Sequence, residues 1–224
     1  MRQSTNPTHV SLAVVLQIRD GALQALLWQR GREPFLGAWS LPGGYLERGE
    51  TLEQSILKHL AEKVDVREVA HLEQLETLSD PERHPGEWQI ATAYLGLVPT
   101  DVDPELPEDT AWHPVSRLPK PAFDHREITL AGRERLRAKL SYTNVGFALA
   151  PETFTISELR EVYVAALGHD VSATNLQRVL VRRGVLERVD GKGPDAKLTI
   201  RFAGGSKTLL ARFVTEVGAA PTEP

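Results

Sequence analysis

Apolar residues recur along this chain in two rhythms, and the change from one to the other marks its elements. Val10 to Ile18 is β-rich, and an apolar run resumes from Ala22 to Gln29. The Arg19-Asp20-Gly21 stretch between them predicts a hairpin closed by an Asp-Gly turn. Pro34 to Trp39 leads into a Pro42-Gly43-Gly44 loop, after which the period lengthens. Leu52, Ile56, Leu60 and Val64 stand four apart, which predicts a helix over Thr51 to Val64. Val69 to Leu78 and Trp88 to Val98 predict further strands, and Ala111 to Val115 a short one. The Pro- and acid-rich segment from Pro99 to Asp109 reads as a surface loop. Asp124 to Leu140 is a long helical pattern, with Ile128, Leu130, Leu136 and Leu140 apolar and Arg133, Arg135, Arg137 and Lys139 on its other faces.

Beyond Ala150-Pro151 the pattern changes character. A helix starts within Phe154 to Tyr163, capped by Thr155 or Ser157, and a second runs from Ser172 to Arg183, where Gly184 stops it. Val185 to Val189 and Lys197 to Phe202 then flank a glycine-tipped turn at Gly191-Lys192-Gly193-Pro194, a β-hairpin. Two short helices, a glycine stop and such a hairpin make a winged helix. The expected organisation is therefore a domain over 1–145, a winged helix over 146–215, and a frayed tail over 216–224. The long helix from Asp124 bridges the two domains.

Composition narrows the function without choosing it. With 224 residues, 41% hydrophobic and 25% charged, the chain has room for one large domain or two small ones. The absence of cysteine removes disulfides, zinc ribbons and thiol nucleophiles. The Val10 to Ile18 run is too short to span a bilayer and nothing resembles a signal peptide, so no membrane partner and a cytoplasmic location are expected. A net charge of −4 argues against a protein that coats nucleic acid as a whole. The average hides a split: 16 Lys+Arg against 21 Asp+Glu up to residue 150, and 10 against 9 beyond it.

The candidate chemistry begins at Leu41-Pro42-Gly43-Gly44 and extends through Glu47, Gly49-Glu50 and the following helix. This stretch resembles the Nudix box: Gly, five residues, Glu, seven residues, then Arg-Glu-aliphatic-any-Glu-Glu-any-Gly-aliphatic. Counting from Gly44 puts Glu50 in place, but the second half reads Lys58, His59, Leu60, Ala61, Glu62, Lys63, Val64, Asp65, Val66. Of three clustered carboxylates, Glu62 alone remains. His59, Glu62 and Lys63 are expected to share one helix face, aimed where family members hold divalent metals on a pyrophosphate. Mg²⁺ needs hard anionic oxygens, whereas the Lys63 ammonium brings a positive charge that can partner a phosphate with no ion. The resemblance thus implies a fold that binds its ligand without cleaving it. Arg30, Arg32, Gly43, Gly44, Glu62 and Lys63 are its candidate effector contacts, with no catalytic residue and no required cofactor.

In a helix-turn-helix module the second helix enters the major groove, and flanking cations meet phosphates. Ser172, Thr174, Asn175 and Gln177 are short polar groups suited to bases or phosphate oxygens. Arg178, Arg182, Arg183, Lys192, Lys197 and Arg201 supply cations from that helix and the wing, while Leu176, Val179 and Leu180 face the small core.

Both halves together resemble a family of Nudix-related transcriptional regulators of NAD metabolism, over about Val10 to Phe202. The matching pieces beyond the box are Glu76-Thr77-Leu78 with Ala93-Tyr94-Leu95, Phe123-Asp124-His125, and Phe154 to Leu159. The resemblance implies an α+β chain: a Nudix α/β/α sandwich with a mixed sheet, then a winged helix. It further implies a homodimeric repressor on a palindromic double-stranded operator, answering to ADP-ribose or a related NAD metabolite. One departure is the loop Asp80 to Trp88, where many relatives carry an Asp-Pro-Arg-Gly type. Two other readings stay open. One is an active hydrolase using Mg²⁺ on Glu47, Glu50, Glu62 and Glu87; the other is a metabolite sensor whose winged helix docks a protein.

Overall fold

The computed structural model describes residues 6–86 and 88–189, and the backbone of 199–202; of 187–189 too it gives the backbone alone. Strand β1 (Thr8–Arg19) turns through Asp20 and Gly21 into β2 (Ala22–Gln29). Both turn residues have positive φ, 50° and 71°, as a type I′ hairpin turn requires. The chain then runs through β3 (Trp39–Ser40), β4 (Gly43–Tyr45), helix α1 (Leu52–Val64), β5 (His71–Leu78), β6 (Gln89–Leu97) and β7 (Thr110–Pro114). These seven strands form one sheet in the order β3-β2-β1-β6-β5, with β4 paired to β1 and β7 to β2. β1 and β6 run parallel and every other pair antiparallel, so the sheet is mixed.

β1 is buried on both faces, and its alternation separates two cores. Ala13 and Val15 meet Ile56, Leu60 and Val64 of α1. Leu12, Val14 and Leu16 face the other way, toward Ile128, Leu136 and Leu140 of α2 (His125–Tyr142). The predicted elements are all present within one or two residues at their ends. β3 and β4 are additions, because strands of two and three residues leave no period to read.

The second apolar layer continues without a break into the C-terminal unit, through Leu149, Phe154, Leu159, Tyr163, Leu176 and Leu180. Helix α3 (Ile156–Leu167) is capped by Thr155 with a reciprocal Glu158 bond, a capping box. Ser172 caps α4 (Ala173–Arg182). Val185 N–H bonds Leu180 O and Gly184 N–H bonds Val181 O, so α4 ends in a Schellman motif. β8 (Leu186–Val189) and β9 (Thr199–Phe202) pair antiparallel as the wing. The expected wing tip and the 216–224 tail lie outside the described residues. Among those described, no helix is long and apolar enough to cross a membrane.

α2 approaches β1 closely because position 132 has no side chain: a Cβ there would stand 2.7 Å from Val14 Cγ1. Gly132→Ala improves intrinsic helix propensity by up to about 1 kcal/mol. It is nevertheless expected to destabilise the fold by about 1–3 kcal/mol through overpacking. Denaturant unfolding measures this, and an unchanged or raised midpoint would show that the contact yields.

Candidate functional site

A cleft of about 340 Å³ opens where the end of β2, strand β4, the last turn of α1, the 79–86 loop and the start of α2 converge. Four cations line it: Arg83, which is paired with Asp124, and Arg30, Arg32 and Lys63. Arg32 lies over the Tyr45 ring at 5.3 Å and Arg30 over Phe123 at 4.7 Å. Arg30 Nε also donates to Pro34 O at 2.8 Å. Lys63 Nζ donates to Gly43 O at 2.6 Å and sits 5.3 Å from the Trp28 ring centre. Burial lowers the pKa of Lys63, and nearby Arg32 lowers it further. Arg30 is depressed for the same two reasons. Like charges are thus held together, partly desolvated, at a place where an anion would relieve both costs.

The carboxylate half of the box is dismantled. His59 is buried with its ring packed on Gly44, where a Cβ would come within 2.5 Å of the imidazole. Its Nε2–H donates to Tyr45 O at 3.1 Å, which leaves Nδ1 buried with no partner among the described residues. Burial holds the ring below its ordinary pKa, so it is neutral at pH 7. Glu47 and Glu50 both engage Lys58, the former at 3.1 Å. The Lys58 hydrogen bond holds the Glu50 carboxyl below its usual range.

Glu62 corrects the sequence reading. It is exposed and does not line the cleft, since the three-residue step from His59 turns it about 60° one way while Lys63 turns about 40° the other. No group of three His, Asp or Glu suited to a metal occurs among the described residues. Glu87 lies outside the described residues.

Several cleft residues escaped sequence reasoning. Arg83 reaches 41 positions along the chain to clasp Asp124, with Nε to Oδ2 at 2.9 Å and Nη2 to Oδ1 at 2.7 Å. Phe123 is stacked with His84 at 5.1 Å. His125 forms the inner wall, and its Nδ1 accepts the Leu41 N–H at 3.0 Å. The Phe123-Asp124-His125 triplet was a visible signal, although nothing local assigned it to a wall.

In the winged helix, Thr174, Asn175, Arg178 and Arg182 are exposed on one face of α4, opposite the buried Leu176 and Leu180. Arg178 Nη2 donates to Asn175 Oδ1 at 2.6 Å, which orders part of that face. Gln177 is half-buried at its edge, and Ser172 Oγ accepts from Asn175 N at the cap. Arg183 is also exposed, but its guanidinium donates to Ser141 O at 2.6 Å and Thr143 O at 3.3 Å, so it ties α4 to the end of α2. Lys192 and Lys197, and the Arg201 side chain, lie outside the described residues.

The NUDIX domain family model matches residues 7–131, and the NrtR DNA-binding winged helix domain model matches 146–197. The chain is 30% identical to the ADPR responsive transcriptional repressor NtrR of Acinetobacter baylyi, over 90% of this chain and 80% of that protein. It is similar to the crystal structure of Shewanella oneidensis NrtR complexed with a 27mer DNA, with TM-score 0.71 and 31% identity. That match covers 87% of this chain and 92% of that one. The NUDIX domain of the same protein, crystallised with ADP ribose, matches at TM-score 0.52 and 33% identity, covering 59% of this chain and 90% of that domain.

The depressed Lys63 pKa has a sign that can be measured. Between that value and the ordinary lysine value of about 10.4, the unfolded chain binds more protons than the folded one. Stability relative to Lys63→Met therefore rises with pH across this window, while affinity for inorganic pyrophosphate falls. At pH 7 the variant is expected to bind pyrophosphate about 10- to 100-fold more weakly, the worth of one hydrogen bond to a charged group. Unchanged pyrophosphate affinity in calorimetry would remove Lys63 from the anion site.

Proposed function

This chain belongs to the Nudix family, in the branch fused to an NrtR-type winged helix, and on that premise we propose that it is a DNA-binding transcriptional repressor. In this proposal it acts as a homodimer on a palindromic operator of NAD-metabolism genes, binds ADP-ribose or a related NAD metabolite in the cleft, and does not hydrolyse it. The observation that carries the sensing role is the exchange of a carboxylate face for cations. Lys63 is anchored on Gly43 beside Arg30 and Arg32, while His59 packs on Gly44 where a metal-binding carboxylate would belong. A diphosphate matches three cations without an intervening metal, and neither a base nor an activated water is provided for its cleavage. Gly43 and Gly44 form the floor on which the phosphates rest; Glu62, turned outward, drops out of the proposed contacts.

On the DNA side, Thr174, Asn175 and Gln177 are assigned to base edges and backbone, and Arg178 and Arg182 to phosphates or guanine. Ser172 supports the start of that helix, and Lys192 and Lys197, outside the described residues, are assigned to phosphates. The division between the two domains is placed at 145/146. α2 runs from the cleft to just short of that boundary, where Arg137 and the carbonyls at its end meet α3 and α4, so a ligand that repositions its first turn acts on both. Two winged helices in a dimer must meet half-sites spaced by whole helical turns, and a small rotation of each is enough to prevent simultaneous docking. ADP-ribose releases the operator to the extent that it prefers the rotated arrangement.

Titration of the purified protein against DNA from its own upstream region, at two salt concentrations, tests this reading. The expected result is specific, salt-dependent binding that ADP-ribose weakens, without product release from ADP-ribose in Mg²⁺ or Mn²⁺. Arg178→Ala is expected to weaken operator binding by about 1–3 kcal/mol if it reads a base, or to lower the salt slope by about 1 if it meets a phosphate. Turnover of ADP-ribose without DNA binding would return the protein to the hydrolases. Effector binding with no DNA affinity at either salt would instead favour a protein-docking role.

A further inference from the structure

The cleft contains one polar group whose chemistry is fixed more tightly than that of the cations around it. His125 is buried, the first residue of α2, and part of the cleft lining. Its Nδ1 accepts the backbone N–H of Leu41 at 3.0 Å, and an atom that accepts an N–H carries no proton of its own. The neutral ring therefore bears its hydrogen on Nε2, and the hydrogen bond the ring makes among the described residues, through Nδ1, leaves that hydrogen to the cleft. The contrast with His59 is instructive. There the Nε2–H is spent on Tyr45 O, and the idle nitrogen is a buried acceptor outside the main cleft.

Charge does not blur this assignment. Burial drives the His125 pKa down to about 3, with Arg83 and Arg30 opposing protonation and Asp124 favouring it. The ring is therefore a neutral donor throughout the physiological range. Around it are Leu41, whose backbone it holds, and Phe123, whose ring centre is 5.3 Å away in a tilted contact. Leu41 and Phe123 are surroundings for the organic part of a ligand; of the nearby cations Arg83 is paired with Asp124 and Arg30 is over the Phe123 ring, whereas Arg32 and Lys63 stand beside Tyr45 and Trp28.

We propose that His125 is a specificity-determining residue of the cleft, its Nε2–H donating to an acceptor atom on the sugar or base of the bound nucleotide. The assignment rests on the cleft being the ADP-ribose site proposed above. A donor that can neither become an acceptor nor gain a charge rejects ligands lacking an acceptor there, because filling the floor with an apolar group leaves the buried N–H unmatched. It also gives the ligand a contact to the first residue of α2, with Asp124 alongside it held by Arg83.

Two substitutions separate reading from mere support. In His125→Asn the amide oxygen can still accept the Leu41 N–H, but the side chain is too short to offer a donor at the Nε2 position; His125→Gln restores a donor at about that reach. Calorimetric titration with ADP-ribose and with inorganic pyrophosphate is the test. For His125→Asn the expected result is about 10-fold weaker ADP-ribose binding with pyrophosphate binding unchanged, and for His125→Gln a recovery of most of the loss. Equal loss of both ligands in both variants would make His125 a structural support only and overturn the proposal. So would wild-type ADP-ribose affinity in His125→Asn. Failure of the wild-type chain itself to bind ADP-ribose would instead overturn the effector reading, and this inference with it.

Discussion

The close seat of α2 on β1 is the contact from which the functional geometry follows. Val14 meets the helix at a position with no side chain, and Ile128 and Leu136 are fully buried on either side of it. That seat fixes both ends of an 18-residue helix at once. At its start, Asp124 is clasped by Arg83 and His125 holds the Leu41 amide. Toward its end, Arg135 and Lys139 engage Glu73 of β5, Arg137 donates to Ala166 O of α3, and Arg183 of α4 bonds the Ser141 and Thr143 carbonyls. Packed interiors yield in discrete steps, so a helix held along this length transmits a displacement of its first turn more readily than it absorbs it. The structure thus links the cleft wall to the winged helix through one element.

The cleft itself solves an electrostatic problem in an unusual way for this fold. Where clustered carboxylates would recruit a divalent cation, the chain supplies its own positive charges, and the surrounding aromatic rings make that tolerable. Trp28, Tyr45 and Phe123 lie beneath Lys63, Arg32 and Arg30, so each cation faces a negative ring surface rather than bare hydrocarbon. Of the acidic residues around the box, Glu47 and Glu50 share Lys58, and Glu62 is turned to solvent. The result favours binding a polyanion.

Much of this was legible from residue pattern. The Asp20-Gly21 turn, the four-residue spacing from Leu52 to Val64, the Thr155 and Ser172 caps and the Gly184 stop each state their local structure in chemistry that needs no tertiary context. What escaped falls into two physical classes. β3 and β4 are shorter than any period, and they exist because β2 and β1 offer edges for them. The Arg83–Asp124 and His125–Leu41 contacts join segments far apart in sequence, where no spacing rule applies. One assignment went astray for a related reason. An acidic side chain on a helix was given to function because its face pointed roughly the right way, yet a step of 100° per residue sends Glu62 to solvent, while Arg183, exposed as expected, is occupied by the carbonyls ending α2.

The central claim is that cations of the chain replace the metal of the fold. Its most direct test is calorimetric titration of ADP-ribose into the wild-type protein in excess chelator and again in Mg²⁺. The account expects equal affinity in both, with no Mg²⁺ needed for saturation. Binding that appears only when Mg²⁺ is supplied would contradict it and place a metal site in the cleft after all.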